Sequence, residues 1–262
     1  MRGDRTDDKV WRGDRVRRKG MLDRTEGAIL PNMTTKISSL AGTRSSVNLV
    51  RSSHSWTEAE SAAGFVLRYL SPMRRLLIGV MGSQQEADQA LRILLTHLVS
   101  AGFGEHRKGR LRDYLARAVR SCAKARMTEN ESLEEGQERL AGAVADSKQW
   151  IKLWRDCLLE RAWRALERQE HLDPDRPLYT VLWTSTVKPK ATPEELAEAI
   201  AQRTGTKLSP PQLHQLKTES KAAFAQLLAD EIVETLENPD KAAVKSEIQS
   251  LGIGAAFAGL AV

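Results

Sequence analysis

Aromatic residues are scarce in this chain, only 5% of 262 residues. Strands favour aromatic side chains, so the scarcity argues against an all-β sandwich or barrel. There are two cysteines, Cys122 and Cys157. They cannot build a disulfide scaffold and lack the paired spacing of a zinc site. No apolar run approaches the roughly 20 residues of a membrane helix. The charged N-terminus is followed by no apolar segment of the kind a signal peptide needs. No His-Glu-x-x-His, P-loop or Gly-x-Gly-x-x-Gly motif is present. The five histidines stand apart from one another, without ligand spacing. These absences predict a reduced, cytoplasmic, mostly helical binding protein. They predict no enzyme, no cofactor, no metal and no membrane partner.

What is present fits that class. Hydrophobic residues make up 41% and charged residues 28%, with a net charge of +6. That balance is globular, and the positive sign permits a polyanionic partner. Residues 1–55 are rich in Arg, Asp, Gly, Ser and Thr, and read as a disordered basic tail. Arg-Gly-Asp-Arg occurs there twice and reads as plain tail charge.

Apolar residues then recur at helical spacing. Val66, Tyr69, Leu70, Met73, Leu76, Leu77 and Val80 predict helix, with a kink or break at Pro72. Gly82 and Ser83 predict a stop and a new start, followed by a helix carrying Ala87, Ala90, Leu91, Leu94, Leu95 and Leu98. A third helix is predicted over residues 110–127, with Leu111, Leu115, Ala118, Cys122 and Ala125 inward. It holds six basic residues and one acid, and Arg117, Arg120 and Lys124 lie opposite the apolar stripe. Residues 128–147 reverse the sign, with six acids and one base, and read as a linker. The expected architecture is therefore all-α with two helical domains, 56–127 and 148–251. An apolar tail, 252–262, follows and either docks or frays.

The second domain opens on Trp150, Trp154, Leu158, Ala162 and Leu166 at helical spacing. A short helix is expected over residues 178–187, although Tyr179, Val181 and Trp183 alternate as in a strand. Thr192-Pro193-Glu194-Glu195 is a strong helix start, and Thr204-Gly205 ends that helix. Ser209-Pro210-Pro211 starts the next. Residues 192–228 thus have the form of a helix-turn-helix. In that motif the second helix lies in the DNA major groove. Its outward positions are His214, Gln215, Thr218 and Ala222, flanked by Gln212 and Lys221. Gln bonds adenine edges in two places and Thr touches a thymine methyl. A plain helical hairpin has the same pattern, and the segment's four bases balance its four acids.

The order of these parts resembles the extracytoplasmic-function sigma factors of bacterial RNA polymerase, in a divergent branch with long, Trp-containing second domains. Arg68-Tyr69-Leu70-Ser71-Pro72, followed by Gly82-Ser83-Gln84-Gln85-Glu86-Ala87-Asp88, is similar to the branch's first helix and the acidic start of its second. Lys108-Gly109-Arg110-Leu111-Arg112-Asp113-Tyr114-Leu115 resembles its lead into the helix beside the minus-ten promoter element. Residues 191–228 resemble the element that reads the minus-thirty-five region, and residues 229–236 the branch's ending after it.

The resemblance implies a dissociable subunit that gives core RNA polymerase its promoter specificity. Its partners would be core polymerase, promoter DNA and an anti-sigma or other regulatory protein. Glu86, Asp88, Gln89 and Arg92 would hold the polymerase clamp. Arg110, Arg112, Tyr114, Arg117, Arg120 and Lys124 would meet the opened minus-ten strand, where bases stack on aromatics and phosphates need cations. Gln89, Arg92 and Ile93 stand where the branch carries an acid, Gln and a second acid. That departure motivates an alternative expectation: a degenerate sigma-like interaction module without promoter activity.

Overall fold

The computed structural model describes residues 46–51, 54–129, 140 and 147–261. Most of the tail expectation (1–45) and most of the linker expectation (130–139 and 141–146) lie outside the described residues. Nine α-helices carry the described fold, with no strand among the described residues. They are α1 (Ala62–Leu67), α2 (Leu70–Met81), α3 (Gln84–Ala101), α4 (Leu111–Glu129), α5 (Lys148–Leu172), α6 (Leu178–Val187), α7 (Pro193–Thr204), α8 (Pro210–Glu234) and α9 (Lys241–Ser250).

Local chemistry sets the boundaries. Pro72 sits in the first turn of α2, where a missing N–H costs no intrahelical bond. The break falls just before it, at Arg68 and Tyr69. Gly82 ends α2 in the left-handed region at φ 73°, a conformation that needs no Cβ relief in glycine. Thr192 and Glu195 form a reciprocal capping box at the start of α7. The Glu195 N–H donates to Thr192 Oγ1 at 3.3 Å, and the Thr192 N–H donates to Glu195 Oε2 at 2.9 Å.

Helices α2, α3 and α4 pack on one another, and α2 also packs on α5. Met73, Leu76, Leu77 and Val80 of α2 meet this interior, as do Ala87, Ala90, Leu91, Leu94 and Leu98 of α3. From α5 come Trp150, Trp154, Leu158, Ala162 and Leu166. The Trp154 ring stacks on Tyr69, centroids 5.0 Å apart. The C-terminal half of α8 adds Phe224, Ala225, Leu228, Ala229, Ile232 and Val233 to the same core.

One core therefore runs through residues from both sides of the acidic segment, in place of two separate domain cores. The sequence signal was a change of charge sign, which marks solvated chain but carries no information about where the flanking faces meet. Helix α2 buries residues toward α3 and α4 and also toward α5, and that double burial joins the halves.

The expected tails also differ at their inner ends. Val47 and Leu49 are buried, and the Val47 N–H donates to the Ala261 carbonyl at 2.8 Å. Residues 46–51 thus belong to the packed body rather than to a disordered tail. At the other end Ile253 and Phe257 are buried, so the apolar C-terminal segment docks. Neither docking partner lies near in sequence, which is why local composition gave no sign of the first.

A second, smaller cluster forms from Val181 of α6, Leu196 and Ile200 of α7, and Leu213 of α8. These three helices pack pairwise around it. Helix α8 thus serves two interiors, the small one through its first turns and the main one through about its last three turns.

Candidate nucleic-acid interface

The three-helix unit fixes the face expected to read bases. Gly205 closes α7 at φ 76°, and its N–H donates to the Ala201 carbonyl at 2.8 Å. With Leu213 turned inward, His214, Gln215, Thr218 and Lys221 are all exposed on the first half of α8. The Thr218 hydroxyl donates back to the His214 carbonyl at 3.2 Å. Gln212 is exposed but engaged in the helix start: its Oε1 accepts from the Ser209 N–H at 2.9 Å and from the Ser209 hydroxyl at 2.7 Å. It is a capping residue here, which removes its acceptor from base contact.

Charge in this region sorts better in space than in sequence. Glu219 is ion-paired with Arg176. Glu195 is occupied by the capping box. Arg203, Lys207 and Lys221 are exposed, with no ion pair among the described residues. Arg203, Lys207 and Lys221 thus stand without an ion pair among the described residues around the turn and along α8, as the exposed acids Glu194 and Glu198 do on α7.

Helix α4 divides its expected residues into two groups. Arg117, Arg120 and Lys124 are exposed and carry no ion pair among the described residues. They form a basic face, as the spacing predicted. Arg110, Arg112 and Tyr114 do not join it. Arg112 is 2% exposed, and its Nε meets Glu247 Oε1 of α9 at 2.7 Å. Arg110 pairs with the other oxygen of Glu247 at 3.1 Å. Tyr114 packs between Trp56 and Phe103, with centroid distances of 5.4 Å to each.

These three expectations are corrected by geometry. The start of α4 is stitched to the end of α8, with the Leu111 N–H on the Thr235 carbonyl at 2.8 Å and the Glu237 N–H on the Gly109 carbonyl at 3.0 Å. That seam turns Arg112 into the molecule. The inward stripe of α4 is rotated from the expected one: Ala116, Val119, Ala123 and Met127 are buried, while Ala125 is exposed.

Two of the four residues expected at the polymerase clamp are held by neighbours. Glu86 accepts from Arg126 Nε at 2.6 Å. Asp88 accepts from Arg74 Nε at 2.6 Å, and that hydrogen bond holds the Asp88 carboxyl below its usual range. Gln89 is half-buried, and Arg92 is exposed with no ion pair among the described residues.

Sequence reasoning missed a cleft between α3 and α4. It has a volume of about 650 Å³ and is lined by Ile93, Leu94, His97, Tyr114, Arg117, Ala118, Ser121, Cys122 and Ala125. The signal was available: Tyr114, Arg117, Ala118, Ser121, Cys122 and Ala125 recur at helical spacing on one side of α4. His97 and Ser121 had no motif to single them out. Burial raises the Tyr114 phenol above its ordinary range, Cys122 adds to the rise, and the Arg117 charge partly offsets it. Burial pushes the Cys122 thiol up to about 11.

No group of three or more His, Cys, Asp or Glu among the described residues is placed to hold a metal ion. No helix of the described residues is long and apolar enough to cross a membrane. No family model, no curated protein and no solved structure matches this chain.

Proposed function

We propose that this protein is a DNA-binding factor of the sigma type, which directs RNA polymerase to promoters and does no chemistry itself. The observation that carries the reading is the three-helix unit of α6, α7 and α8. Its own small core holds α8 so that His214, Gln215, Thr218 and Lys221 are exposed together. A helix-turn-helix reads the major groove through residues at this place in its second helix. The unneutralised cations near the turn suit phosphates, which position a protein on DNA without specifying sequence. The exposed face of α4, with Arg117, Arg120 and Lys124, supplies a second cationic surface for an opened strand.

The test is transcription in vitro with purified core polymerase over a promoter library, comparing the unaltered chain with Gln215→Ala and Lys221→Ala. Gln215→Ala should cost about 1–3 kcal/mol at one promoter position, the worth of a good bidentate base contact. Lys221→Ala should weaken all promoters alike. A chain that binds core polymerase and supports no promoter-specific initiation overturns the reading.

A second reading rests on its own observation. Arg112 and Tyr114 are buried, and Glu86 and Asp88 are held by Arg126 and Arg74. Those residues then serve the fold, and the chain is a sigma-like interaction module that ignores promoters. In that case neither α8 substitution changes transcription from any promoter.

A further inference from the structure

We infer that the cleft between α3 and α4 binds a small anionic amphiphile, a medium-chain carboxylate, with its chain along the helix floor and its head on Arg117. The site shares Arg117 with the cationic face of α4 proposed to meet DNA, and its test reads ligand binding without DNA or polymerase.

Three features of the cleft carry this. Its volume, about 650 Å³, lies within the roughly 300–1,000 Å³ of small-molecule sites. Its floor is apolar: Leu94 and Cys122 are buried, and Ile93 and Ala118 are half-buried and line the same space. Such a floor takes a hydrocarbon chain by removing apolar surface from water on both sides.

The polar groups at the cleft have one electrostatic character. Arg117 is exposed and has no ion pair among the described residues, and no carboxylate among the described residues lines the cleft. Arg117 also acts on the Tyr114 phenol, whose ionised form it favours against the effect of burial. A carboxylate is the head group that a planar guanidinium matches with two parallel hydrogen bonds. Tyr114, Ser121 and His97 line the same cleft and bring side chains able to hydrogen-bond. A cationic head would meet Arg117 with nothing to neutralise it.

The geometry also separates this cleft from the molecule's other surface aromatic feature. Trp163, Tyr179 and Trp183 line another groove with Asp156, Glu160, Glu167 and Arg164, where Arg164 pairs with Glu160 and acids outnumber bases.

The experiment is calorimetric titration of the full chain with decanoate below its micelle concentration, beside decanol and decyltrimethylammonium. Decanoate should bind saturably, decanol more weakly, and the cationic chain weakest of all. Arg117→Gln should weaken decanoate about tenfold, the worth of a charge-assisted hydrogen bond, and leave decanol unchanged. Ser121→Trp, a change at an exposed position that fills the cleft, should remove both, with circular dichroism and thermal unfolding confirming the fold. A Cys122 thiol shielded from a small alkylating reagent by decanoate would place the ligand in the cleft. Sedimentation with anionic vesicles separates a free amphiphile from a lipid surface: vesicle binding that Ser121→Trp leaves intact, with no decanoate binding, overturns the proposal. Equal binding of the three chains, or decanoate binding unaffected by both substitutions, also overturns it.

Discussion

Arg112 and Glu247 stand 135 positions apart in the chain and meet side chain to side chain at 2.7 Å, with 2% and 1% of their surfaces exposed. Arg110 reaches the same carboxylate at 3.1 Å, and the Arg112 carbonyl accepts from the Trp150 indole at 3.1 Å. One carboxylate on α9 thus gathers the beginning of α4 and, through its backbone, α5. A charge pair this far from water is stabilising only as a complete set, because each member left alone bears its full desolvation cost.

Glu247→Ala should accordingly destabilise the protein by about 3–5 kcal/mol, read as a lower midpoint in urea unfolding. The joint replacement Arg112→Met with Glu247→Leu should recover part of that loss: it removes the two buried charges and leaves Arg110, which is partly exposed, to solvent. A single substitution as mild as the double one would show that water reaches the pair.

The basic face of α4 makes a prediction in salt. If Arg117, Arg120 and Lys124 each neutralise a phosphate, replacing all three with Ala should flatten the log–log salt dependence of DNA binding. Each contact is worth a slope of about 0.9 on duplex and about 0.7 on a single strand. Binding measured across a range of potassium chloride gives the slope directly. An unchanged slope would make this face ordinary solvated surface.

Alkaline pH should loosen the fold through its thiols. Burial raises Cys122 and Cys157 from 9.0 to about 11. The folded state therefore favours the protonated thiol more than the unfolded chain does. This contribution is whole below pH 9.0 and is lost as the pH rises through 11. Urea midpoints should fall across that interval, and Cys157→Ala should make the fall shallower. Native thiols should also react slowly with alkylating reagents near neutral pH and rapidly after unfolding. A flat profile of midpoints would contradict the burial of both groups.

The capping box on α7 should support the small cluster out of proportion to its exposure. Thr192→Ala should cost about 1 kcal/mol, the usual worth of a helix N-cap. Hydrogen exchange should show faster opening of α7 amides, with α2 and α3 unaffected. Equal protection in both proteins would mean that Leu196 and Ile200 hold α7 without the cap.

Much of the helical organisation was legible in the sequence because it is written locally. Thr192, Gly205 and Ser209 mark ends by their own backbone chemistry, and the expected helix over residues 178–187 matches α6. The outward placement of Gln215 and Lys221 follows from the inward turn of Leu213 alone. The fate of Arg110, Arg112 and Tyr114 was not legible. It depends on Glu247, Trp56 and Phe103, which a motif eight residues long cannot contain. A basic run looks the same whether its guanidiniums face phosphate or a carboxylate on a helix more than a hundred residues away. The cleft escaped notice for a related reason: it needs Ile93, Leu94 and His97 of α3 beside the α4 residues, and that pairing of faces is written in neither helix alone.

Helix α8 runs 25 residues, about 37 Å, and its last turns are clamped in the main core while its first turns protrude through the small one. It behaves as a lever with a buried fulcrum. On the proposed DNA-binding function, the angle at which Gln215 meets a base is inherited from the core, and its orientational entropy is spent in folding rather than in binding. A change at Phe224 or Ile232, remote from any contact, would reach Gln215 as a change of bearing.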